Sequence, residues 1–312
     1  MENIVFTYEN LDGTKKTITV LSLLGEGTSA KVYKCMLDGY GFVACKFFKK
    51  LSENDIKNEM RISTLFPGQD DHILSVKKLL LPPHLVPDFQ DFSEKIGMIN
   101  TRVYEKPILV FKYIDGQSLG DDIKLKKKTH TKIAADILKN YMNEVLIGLQ
   151  LLQSKRIAHR DIKPDNIMIS EGHLIYIDFG FACILEDCRS KLLVGTPNYV
   201  SPQVIKGDMP KDDNEWFAID IFALGMTFFN MIIREPLLPI AFKIYLKIKL
   251  EYANQITMQY RYRSLESLKD MFDTTIDTCI KVEPYIKLLK GMLNPIVSER
   301  FTVEKCLEVL HS

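Results

Sequence analysis

The sequence predicts an α+β protein in which a small, strand-rich N-terminal half precedes a larger, mainly helical half. From Val5 to Tyr33, apolar and polar residues alternate between turn signals, as in half-buried strands. After Asp115-Gly116 the apolar residues recur at helical spacing over about six turns. These residues are Ile133, Ile137, Tyr141, Val145, Leu149 and Leu152. The change of period predicts two differently built parts, residues 1–114 and residues 115–312.

The first part is expected to form an antiparallel sheet with one helix. Asp12-Gly13 is a hairpin dipeptide, and Gly25-Glu26-Gly27 marks a second break between strands. The other predicted elements are strands at Val43–Phe48, Ile73–Leu81 and Ile108–Ile114 and a helix at Glu53–Phe66. Residues 82–106 begin with Pro82-Pro83 and are too long for an ordinary connection, so we expect a surface insertion there.

The second part is expected to be mostly helical beyond Asp220, ending in Leu288–Leu310. The longest apolar run, Phe222–Ile233, is shorter than the ~20 residues that cross a bilayer, which predicts a buried core helix. Lys124 and residues 126–128 form a lysine-rich run without interleaved aromatic residues. This composition favours a solvated helix entrance over a site for an acidic partner.

The overall charge gives no reason to expect nucleic acid or an anionic membrane as a partner. Lys plus Arg total 41 against 40 Asp plus Glu, which gives no global charge for binding nucleic acid or an anionic membrane. The N-terminal residues show no secretory signal. The cysteines have no CxxC or metal-ligand spacing, so we expect reduced thiols and a cytoplasmic location, with the nucleus as the alternative. They are Cys35, Cys45, Cys183, Cys188, Cys279 and Cys306.

The most informative residues are two short strings in the second part. The first runs from His159 to Asn166, His-Arg-Asp-Ile-Lys-Pro-Asp-Asn, and the second is Asp178-Phe179-Gly180. Together they supply an anionic base and two oxygen ligands for hard cations, which phosphoryl transfer to a hydroxyl requires. The structural alternative is that Asp161 and Asn166 only cap turns.

Both strings resemble the catalytic loop and the metal-binding motif of eukaryotic protein kinases. The resemblance covers nearly the whole chain, with the motifs in the family's order. It implies the two-lobed protein kinase fold, with the N-lobe at residues 1–114 and the C-lobe at residues 115–312. It also implies a serine/threonine protein kinase that uses ATP and Mg²⁺. Asp161 would then accept the hydroxyl proton, Lys163 would screen the phosphate charge, and Asn166 and Asp178 would bind Mg²⁺.

The same resemblance assigns the nucleotide contacts. Ala30 stands where the family's loop has its third glycine, and Phe111 stands at the gatekeeper position. The assigned residues are Gly25, Glu26, Gly27, Val32, Ala44, Lys46, Phe111, Lys112, Tyr113 and Ser118. A simple hairpin also explains the glycine pair, and turn formation also explains Ser118.

Lys46 resembles the lysine that pairs the α- and β-phosphates. A charged residue in this apolar strand needs a partner, for which Glu59 fits the family's helix and Glu53 is the alternative. Lys46 could instead point to solvent from an edge strand. Ser63, one turn after Glu59, replaces an apolar residue of the family, which predicts a loosely docked helix and a need for outside activation.

The segment Gly195–Pro202 resembles the peptide-receiving segment of serine/threonine kinases. Thr196 is expected to hydrogen-bond toward Asp161 and Lys163. Phe181, directly after the metal-binding motif, is a bulky residue of the kind that accompanies serine acceptors in this family. The resemblance therefore implies a protein substrate, with serine preferred over threonine.

Two departures from the family concern stability and control. Gln203 replaces the glutamate that pairs with a late arginine, here Arg300, and an amide bonds guanidinium more weakly. Arg160 implies control by an activation-loop phosphate, yet Leu192 occupies the usual acceptor position. The alternatives are phosphorylation of Ser190, a constitutive charge from Glu186 or Asp187, or an unknown activating partner or upstream kinase.

Two other functions remain as alternatives. A pseudokinase or weakly active kinase that serves as an ATP-binding allosteric scaffold would be expected to lack one of four residues, Lys46, Asp161, Asn166 or Asp178, and all four are present. A small-molecule phosphotransferase of related fold would be expected to lack the segment around Thr196.

Overall fold

The computed structural model describes residues 5–9, 15–27, 29–49, 53–66, 71–81, 97–100, 107–190, 194–237 and 264–312. The chain divides into two units. The first contains the residues up to Asp115 together with Asp178–Gly180, and the second contains Gly116–Ile177 and Phe181–Ser312. The division after Asp115 falls where the sequence period changes. The grouping of Asp178–Gly180 with the first unit is not visible in the sequence.

The first unit is built on one closed sheet with the strand order β1-β2-β3-β4-β7-β5-β6. Its strands are β1 (Val5–Glu9), β2 (Lys15–Glu26), β3 (Ala30–Leu37), β4 (Gly41–Phe48), β5 (Val76–Leu81), β6 (Gly97–Asn100) and β7 (Ile108–Lys112). The sheet closes where Glu9 of β1 pairs with Asn100 of β6. The other neighbouring strands are antiparallel except β5 and β6, which pair in parallel.

Strand β6 corrects the expectation of a surface insertion at residues 82–106. Gly97–Asn100 belongs to the sheet because its backbone pairs with β5 from Lys78 to Leu81. Four residues are too few for sequence alternation to reveal a strand. The rest of the segment, residues 82–96 and 101–106, lies outside the described residues, as does Asp12-Gly13.

Apolar clusters occupy both faces of this sheet. One face packs against helix α1 (Glu53–Thr64), which contributes Ile56 and Met60. The sheet residues of this cluster include Ala30, Ala44, Phe48, Val76, Leu109 and Phe111. The opposite face carries Ile18, Cys35, Cys45, Phe47, Leu80 and Ile108. Because side chains alternate along a strand, Lys46 shares the face of Ala44 and Phe48.

Ser63 attaches α1 to the sheet, contrary to the expected loose docking. The residue is buried, and its hydroxyl donates to the Glu59 carbonyl at 2.8 Å. The same oxygen accepts the Val76 amide at 2.9 Å, at the first residue of β5. The Ser63 hydroxyl therefore attaches α1 to β5 by hydrogen bonding, where an apolar side chain would do so by packing.

Replacing Ser63 by alanine should lower the free energy of unfolding by about 1–3 kcal/mol, because the buried Val76 amide loses its acceptor. Urea unfolding would measure the change. The matched control is Thr64→Ala, whose hydroxyl bonds only within its own helix, to the Arg61 carbonyl. Equal stability of the two variants would contradict the prediction.

The second unit combines small sheets with helices. Its strands are β8 (Gln117–Ser118), β9 (Ile157–Ala158), β10 (Ile167–Ser170), β11 (His173–Tyr176) and β12 (Cys183–Ile184). They pair in the orders β11-β10-β8 and β12-β9. The helices are α2 (Leu119–Lys128), α3 (Ala135–Ser154), α4 (Pro202–Lys206), α5 (Asp213–Ile233), α6 (Leu265–Cys279), α7 (Glu283–Met292) and α8 (Val303–His311).

Helix α5 is the core helix of this unit. It begins after Asp212, whose side chain accepts the Glu215 amide at 2.9 Å. By length and composition alone it could cross a membrane, but 83% of its most apolar stretch is buried inside the protein. This burial is typical of a core helix, as predicted for Phe222–Ile233.

The lysine-rich run lies at the end of a helix and not at an entrance. Lys126–Lys128 form the last turn of α2, while Asp121 and Asp122 lie in its first turn. This distribution of charge complements the helix dipole. Lys124 contacts Asp165 at 3.1 Å and Asp121 at 3.4 Å.

Two cysteines contradict the expectation of six reduced thiols. Cys183 and Cys188 form a disulfide, with a Cα–Cα distance of 5.3 Å. The free cysteines are Cys35, Cys45, Cys279 and Cys306. The spacing of five residues resembles no metal motif, and only the turn after β12 brings the two side chains together.

Candidate active site

Lys46 lies at the centre of an ionic cluster in the first unit. Its Nζ is 2.7 and 2.9 Å from the carboxylate oxygens of Glu59 and 2.8 Å from Oδ1 of Asp178. Burial alone would lower the pKa of Lys46, but the two carboxylates outweigh it and raise the pKa above its usual value. The ammonium therefore stays charged between these two carboxyl groups.

The fold places Lys46 in the interior. Strand β4 lies between β3 and β7, so Lys46 is not on an edge strand with its side chain in solvent. Glu59 follows Ile56 by three residues on α1, so the two share the helix face that packs on the sheet. Both charged residues are over 90% buried. The side chain of Glu53 lies outside the described residues.

The glycine-rich turn between β2 and β3 is closed by backbone hydrogen bonding. The Gly27 amide donates to the Ala30 carbonyl at 2.9 Å, and Lys49 Nζ donates to the Gly27 carbonyl at 2.7 Å. Lys49 also contacts Glu26 at 2.6 Å, and this hydrogen bond lowers the pKa of Glu26. A Cβ at Gly25 would meet no atom within 4 Å, so the backbone can be approached closely. Thr28 lies outside the described residues.

Ala30 is buried in the apolar cluster beneath this turn, which explains why a methyl group is accommodated where the family has glycine. Lys49 is a residue that the sequence analysis missed. In the sequence, Lys49 is only a basic residue directly after an apolar strand. The structure shows that it contacts the Gly27 carbonyl and Glu26.

Val32, Ala44 and Phe111 provide an apolar surface beside Lys46. Val32 pairs with Lys46 across the sheet, and Ala44 pairs with Phe111. All three belong to the cluster on the α1 face or pack against it. Such a surface suits the flat face of a base.

Lys112 and Tyr113 follow Phe111 at the end of β7. Lys112 is exposed, and Tyr113 is partly buried. The ammonium of Lys34 lies 4.1 Å from the Tyr113 ring and 4.4 Å from the Phe42 ring. These cation–π contacts fix the start of this segment, and Lys34 was not singled out from the sequence.

The second unit holds a continuous hydrogen-bond network around Asp161. Its Oδ1 accepts the Thr196 hydroxyl at 2.7 Å, and its Oδ2 accepts both Lys163 Nζ and Asn166 Nδ2 at 2.9 Å. Lys163 also contacts the Thr196 hydroxyl at 2.7 Å. The structure thus brings together three residues predicted to be catalytic, Asp161, Lys163 and Thr196, and Asn166, which was predicted to bind the metal. Capping a turn does not account for these contacts, because the Asp161 carboxylate accepts hydrogen bonds from three side chains.

Asp220 positions the backbone of this loop. Its carboxylate accepts the amides of His159 at 2.7 Å and Arg160 at 2.8 Å. Burial raises the pKa of Asp220, while the two amides and nearby positive charge oppose the rise. Arg160 has a positive φ of 63°, a conformation that these paired hydrogen bonds stabilise.

Gly195 is required immediately before Thr196. Its φ is 104°, and a Cβ there would lie 2.6 Å from the Arg160 carbonyl oxygen. Only glycine combines this conformation with so close an approach. The contact sets the distance between the loop His159–Asn166 and the segment that contains Thr196.

Arg160 bonds to the segment that follows Gly180. Its Nε donates to the Phe181 carbonyl at 2.7 Å, and burial lowers the pKa of the guanidinium. Glu186, one of the suggested constitutive charges, contacts Arg156 at 3.0 Å. Leu192 and the side chain of Ser190 lie outside the described residues.

Gln203 contacts Arg300, as expected, but satisfies only half of its hydrogen-bonding capacity. Its Oε1 accepts Arg300 Nη2 at 3.1 Å. Its Nε2 is buried and has no hydrogen-bond partner. Arg300 also donates to the carbonyls of Asn294 at 2.8 Å and Ala218 at 2.6 Å.

Replacing Gln203 by glutamate should raise the free energy of unfolding by about 1–3 kcal/mol. The change removes the unsatisfied amide donor and gives Arg300 a carboxylate. Thermal unfolding of the whole protein would measure this change in stability. The control Gln203→Met removes the acceptor without supplying charge and should destabilise the protein; a glutamate variant no more stable than this control would contradict the prediction.

Ser118 acts as a helix cap. Its Oγ accepts the Asp121 amide at 3.0 Å, at the beginning of α2. This is the structural alternative that the sequence left open, and it accounts for the residue without a ligand.

Comparison with known proteins shows the family to which the sequence is similar. The sequence matches the family model described as "Protein kinase domain" over residues 18–311. The cAMP-dependent protein kinase catalytic subunit of Dictyostelium discoideum is 29% identical over 226 residues, covering 71% of this chain and 30% of that protein. Serine/threonine-protein kinase STE20 of Candida glabrata is 31% identical over 224 residues, covering 67% and 22%. The corresponding protein of Saccharomyces cerevisiae is 30% identical over 224 residues, covering 67% and 21%. The chain thus spans less than a third of the length of these relatives.

Proposed function

Because this chain belongs to the protein kinase family, we propose that it is a serine/threonine protein kinase that transfers the γ-phosphoryl group of ATP to a hydroxyl of a protein substrate. The observation that carries the proposal is the Asp161 network, in which one carboxylate holds Lys163, Asn166 and Thr196. A cap residue would need only backbone donors.

Asp161 is the group that orients the acceptor hydroxyl and takes its proton. Three hydrogen-bond donors fix the orientation of the Asp161 carboxylate. A hydroxyl bound to this carboxylate is then held in one orientation for attack on the γ-phosphate. Lys163 adds a positive charge beside it, where negative charge develops on the transferred group. Thr196 joins both side chains to the segment that would receive the peptide.

Lys46 is the phosphate-binding cation of the first unit. Glu59 of α1 accepts a hydrogen bond from the Lys46 ammonium, so the lysine side chain is already positioned before a nucleotide binds. The turn at Gly25, Glu26 and Gly27 brings backbone close to phosphate, with the Gly27 amide itself donated to the Ala30 carbonyl. Val32, Ala44 and Phe111 offer an apolar face to the base. Lys112 and Tyr113 provide the backbone that reads the base edge, whereas Ser118 is already used as a cap.

Asn166 and Asp178 fit the requirements of Mg²⁺. Asn166 directs its Nδ2 at Asp161 through two hydrogen bonds, so its Oδ1 is the atom that can face a cation. The Asp178 carboxylate is about half exposed, at 49% of its side chain. Amide and carboxylate oxygens, completed by water and phosphate, are the ligands that Mg²⁺ prefers. When bound, the ion supplies charge neutralisation for the phosphates.

Serine is the proposed acceptor. Phe181 directly follows the metal-binding motif, has a large side chain and is 46% exposed. Its bulk restricts the space available for the extra methyl group of threonine. We further propose that the protein acts in the cytoplasm or nucleus without binding nucleic acid or membrane, which is consistent with a formal net charge of +1.

Phosphorylation of a degenerate peptide library with ATP and Mg²⁺ would test these assignments. We expect incorporation into serine peptides to exceed incorporation into threonine peptides and to stop when Mg²⁺ is chelated. Faster phosphorylation of threonine would refute the acceptor assignment. ATP hydrolysis with no peptide product would mean that water is the acceptor and would refute the assignment of a peptide acceptor.

A further inference from the structure

The disulfide between Cys183 and Cys188 lies on the path to Thr196. Both cysteines are buried, with 5% and 1% of their surfaces exposed. Cys183 begins β12, and Cys188 lies within the 3₁₀ turn Leu185–Ser190. The crosslink therefore closes the first turn of the segment that continues to Gly195 and Thr196.

The cysteines connect this turn to the structure beneath the catalytic loop. Cys183 pairs with Ala158 in the two-stranded β12-β9 sheet, and Ala158 directly precedes His159 of the loop. Both cysteines pack in one apolar cluster with Val204, Trp216 and Ile219. The disulfide thus joins the turn to a cluster that contains residues of α4 and α5.

Hydrogen bonding secures the beginning of the same turn. The Leu185 amide donates to the Arg156 carbonyl at 2.9 Å. Arg156 also contacts Glu186 at 3.0 Å and Asp213 at 2.7 Å. These contacts hold residues 185 and 186, and the disulfide extends the attachment to residue 188.

We propose that Cys183 and Cys188 are a redox modification site. Their disulfide orders the segment that contains Thr196, so that the Thr196 hydroxyl contacts Asp161 and Lys163. The inference rests on the proposed kinase function, because its consequence is control of that site. With the disulfide present, the Thr196 hydroxyl lies 2.7 Å from both Asp161 and Lys163. Reduction frees Cys188 from Cys183 and loosens this arrangement.

The chemistry is thiol–disulfide exchange with a low-molecular-weight disulfide such as oxidised glutathione. One cysteine thiolate attacks a reagent sulfur and expels a thiolate, which forms a mixed disulfide. The second cysteine thiolate then attacks the protein sulfur and expels the other reagent thiolate. Two cysteines are oxidised, one reagent disulfide is reduced to two thiols, and the cysteine protons go to solvent or to the leaving thiolates.

The expected size of the effect follows from the small ring that the disulfide closes. Chain entropy for a loop of this length changes an ordering equilibrium by up to about 40-fold. We therefore expect reduction to lower kcat/KM for a peptide substrate by at least threefold. Burial of both sulfurs means that exchange requires the turn to open first, so the change should be slow and reversible.

The test compares protein oxidised with oxidised glutathione and protein reduced with dithiothreitol. The tryptic peptide Asp161–Arg189 contains both cysteines and no other, so its mass after alkylation reports the redox state directly. Peptide phosphorylation is measured in each state, together with hydrogen exchange of residues 194–202. Cys183→Ala and Cys188→Ala should show the reduced behaviour in both treatments, whereas the control Cys279→Ala should respond as the wild type does.

The outcomes separate the two proposals. Lower activity and faster exchange upon reduction, with both absent from the cysteine variants, support the modification site. Unchanged exchange and activity in protein shown to be reduced would overturn it, as would free thiols at both positions after oxidation. Failure of the oxidised protein to phosphorylate any peptide would overturn the kinase assignment, while hydrogen exchange would still decide whether the disulfide orders the segment.

Discussion

Replacing Asp161 by asparagine should lower kcat by ~10²- to 10⁴-fold, the range that general acid–base groups contribute. The substitution preserves shape. An asparagine can direct its oxygen at Lys163 and Asn166 and its amide at Thr196. The Thr196 hydroxyl, which already accepts Lys163, would then accept this amide instead of donating to residue 161. The network therefore survives without the carboxylate that takes the proton. We expect a folded protein that no longer transfers the phosphoryl group at a normal rate.

Steady-state kinetics with a library-derived peptide would measure this loss, and thermal unfolding would show that the fold is retained. The control is Asp136→Asn, which makes the same change of charge at an exposed position in the first turn of α3. An Asp161 variant with a normal kcat would exclude the proposed base. A large fall in unfolding temperature would instead show that the carboxylate acts chiefly in folding.

The contacts around Lys46 and Asp161 illustrate what the sequence predicts well. The resemblance to protein kinases assigned Glu59 as the partner of Lys46, with Glu53 as the alternative, and Lys46 Nζ lies 2.7 Å from Glu59. The spacing from His159 to Asn166 is short, so a single loop brings Asp161, Lys163 and Asn166 together. Local spacing is sufficient wherever the participating residues lie on one element or on adjacent elements.

The features that the sequence did not predict depend on contacts between distant residues. Strand β6 joins the sheet by backbone pairing with β5, and neither its length nor its composition distinguishes it from a loop. The Cys183–Cys188 disulfide depends on the path of one turn. Ser63 was interpreted from its lack of apolar surface, whereas its function depends on the position of the Val76 amide. Such contacts arise from tertiary structure and leave no periodic signal.

Replacing Lys46 by methionine should have the second large effect, on both stability and activity. The side chains have similar volume, but Glu59 would retain a buried carboxylate without the ammonium that lies 2.7 Å away. Breaking a buried ion pair by removing one partner costs about 3–5 kcal/mol. Loss of the phosphate-binding charge should lower kcat/KM by ~10²- to 10³-fold. Urea unfolding and peptide kinetics would measure the two effects separately.

The exposed residue Lys77 of β5 provides the control, because Lys77→Met removes the same charge from the same unit without disturbing a buried partner. Both stability and activity of this control should remain near the wild-type values. If it lost as much stability as the Lys46 variant, the ion pair would not be the cause.

A second substitution, Glu59→Gln, can separate the structural and chemical contributions of Lys46. In the double variant Lys46→Met, Glu59→Gln, the buried carboxylate is removed together with its ammonium, so part of the lost stability should return. A coupling of about 0.5–3 kcal/mol is expected for residues in direct contact. Activity should not return, because the amide cannot replace a cation at the phosphates. Recovery of both properties would mean that Lys46 acts only by supporting the fold, and that the phosphate charge is neutralised elsewhere.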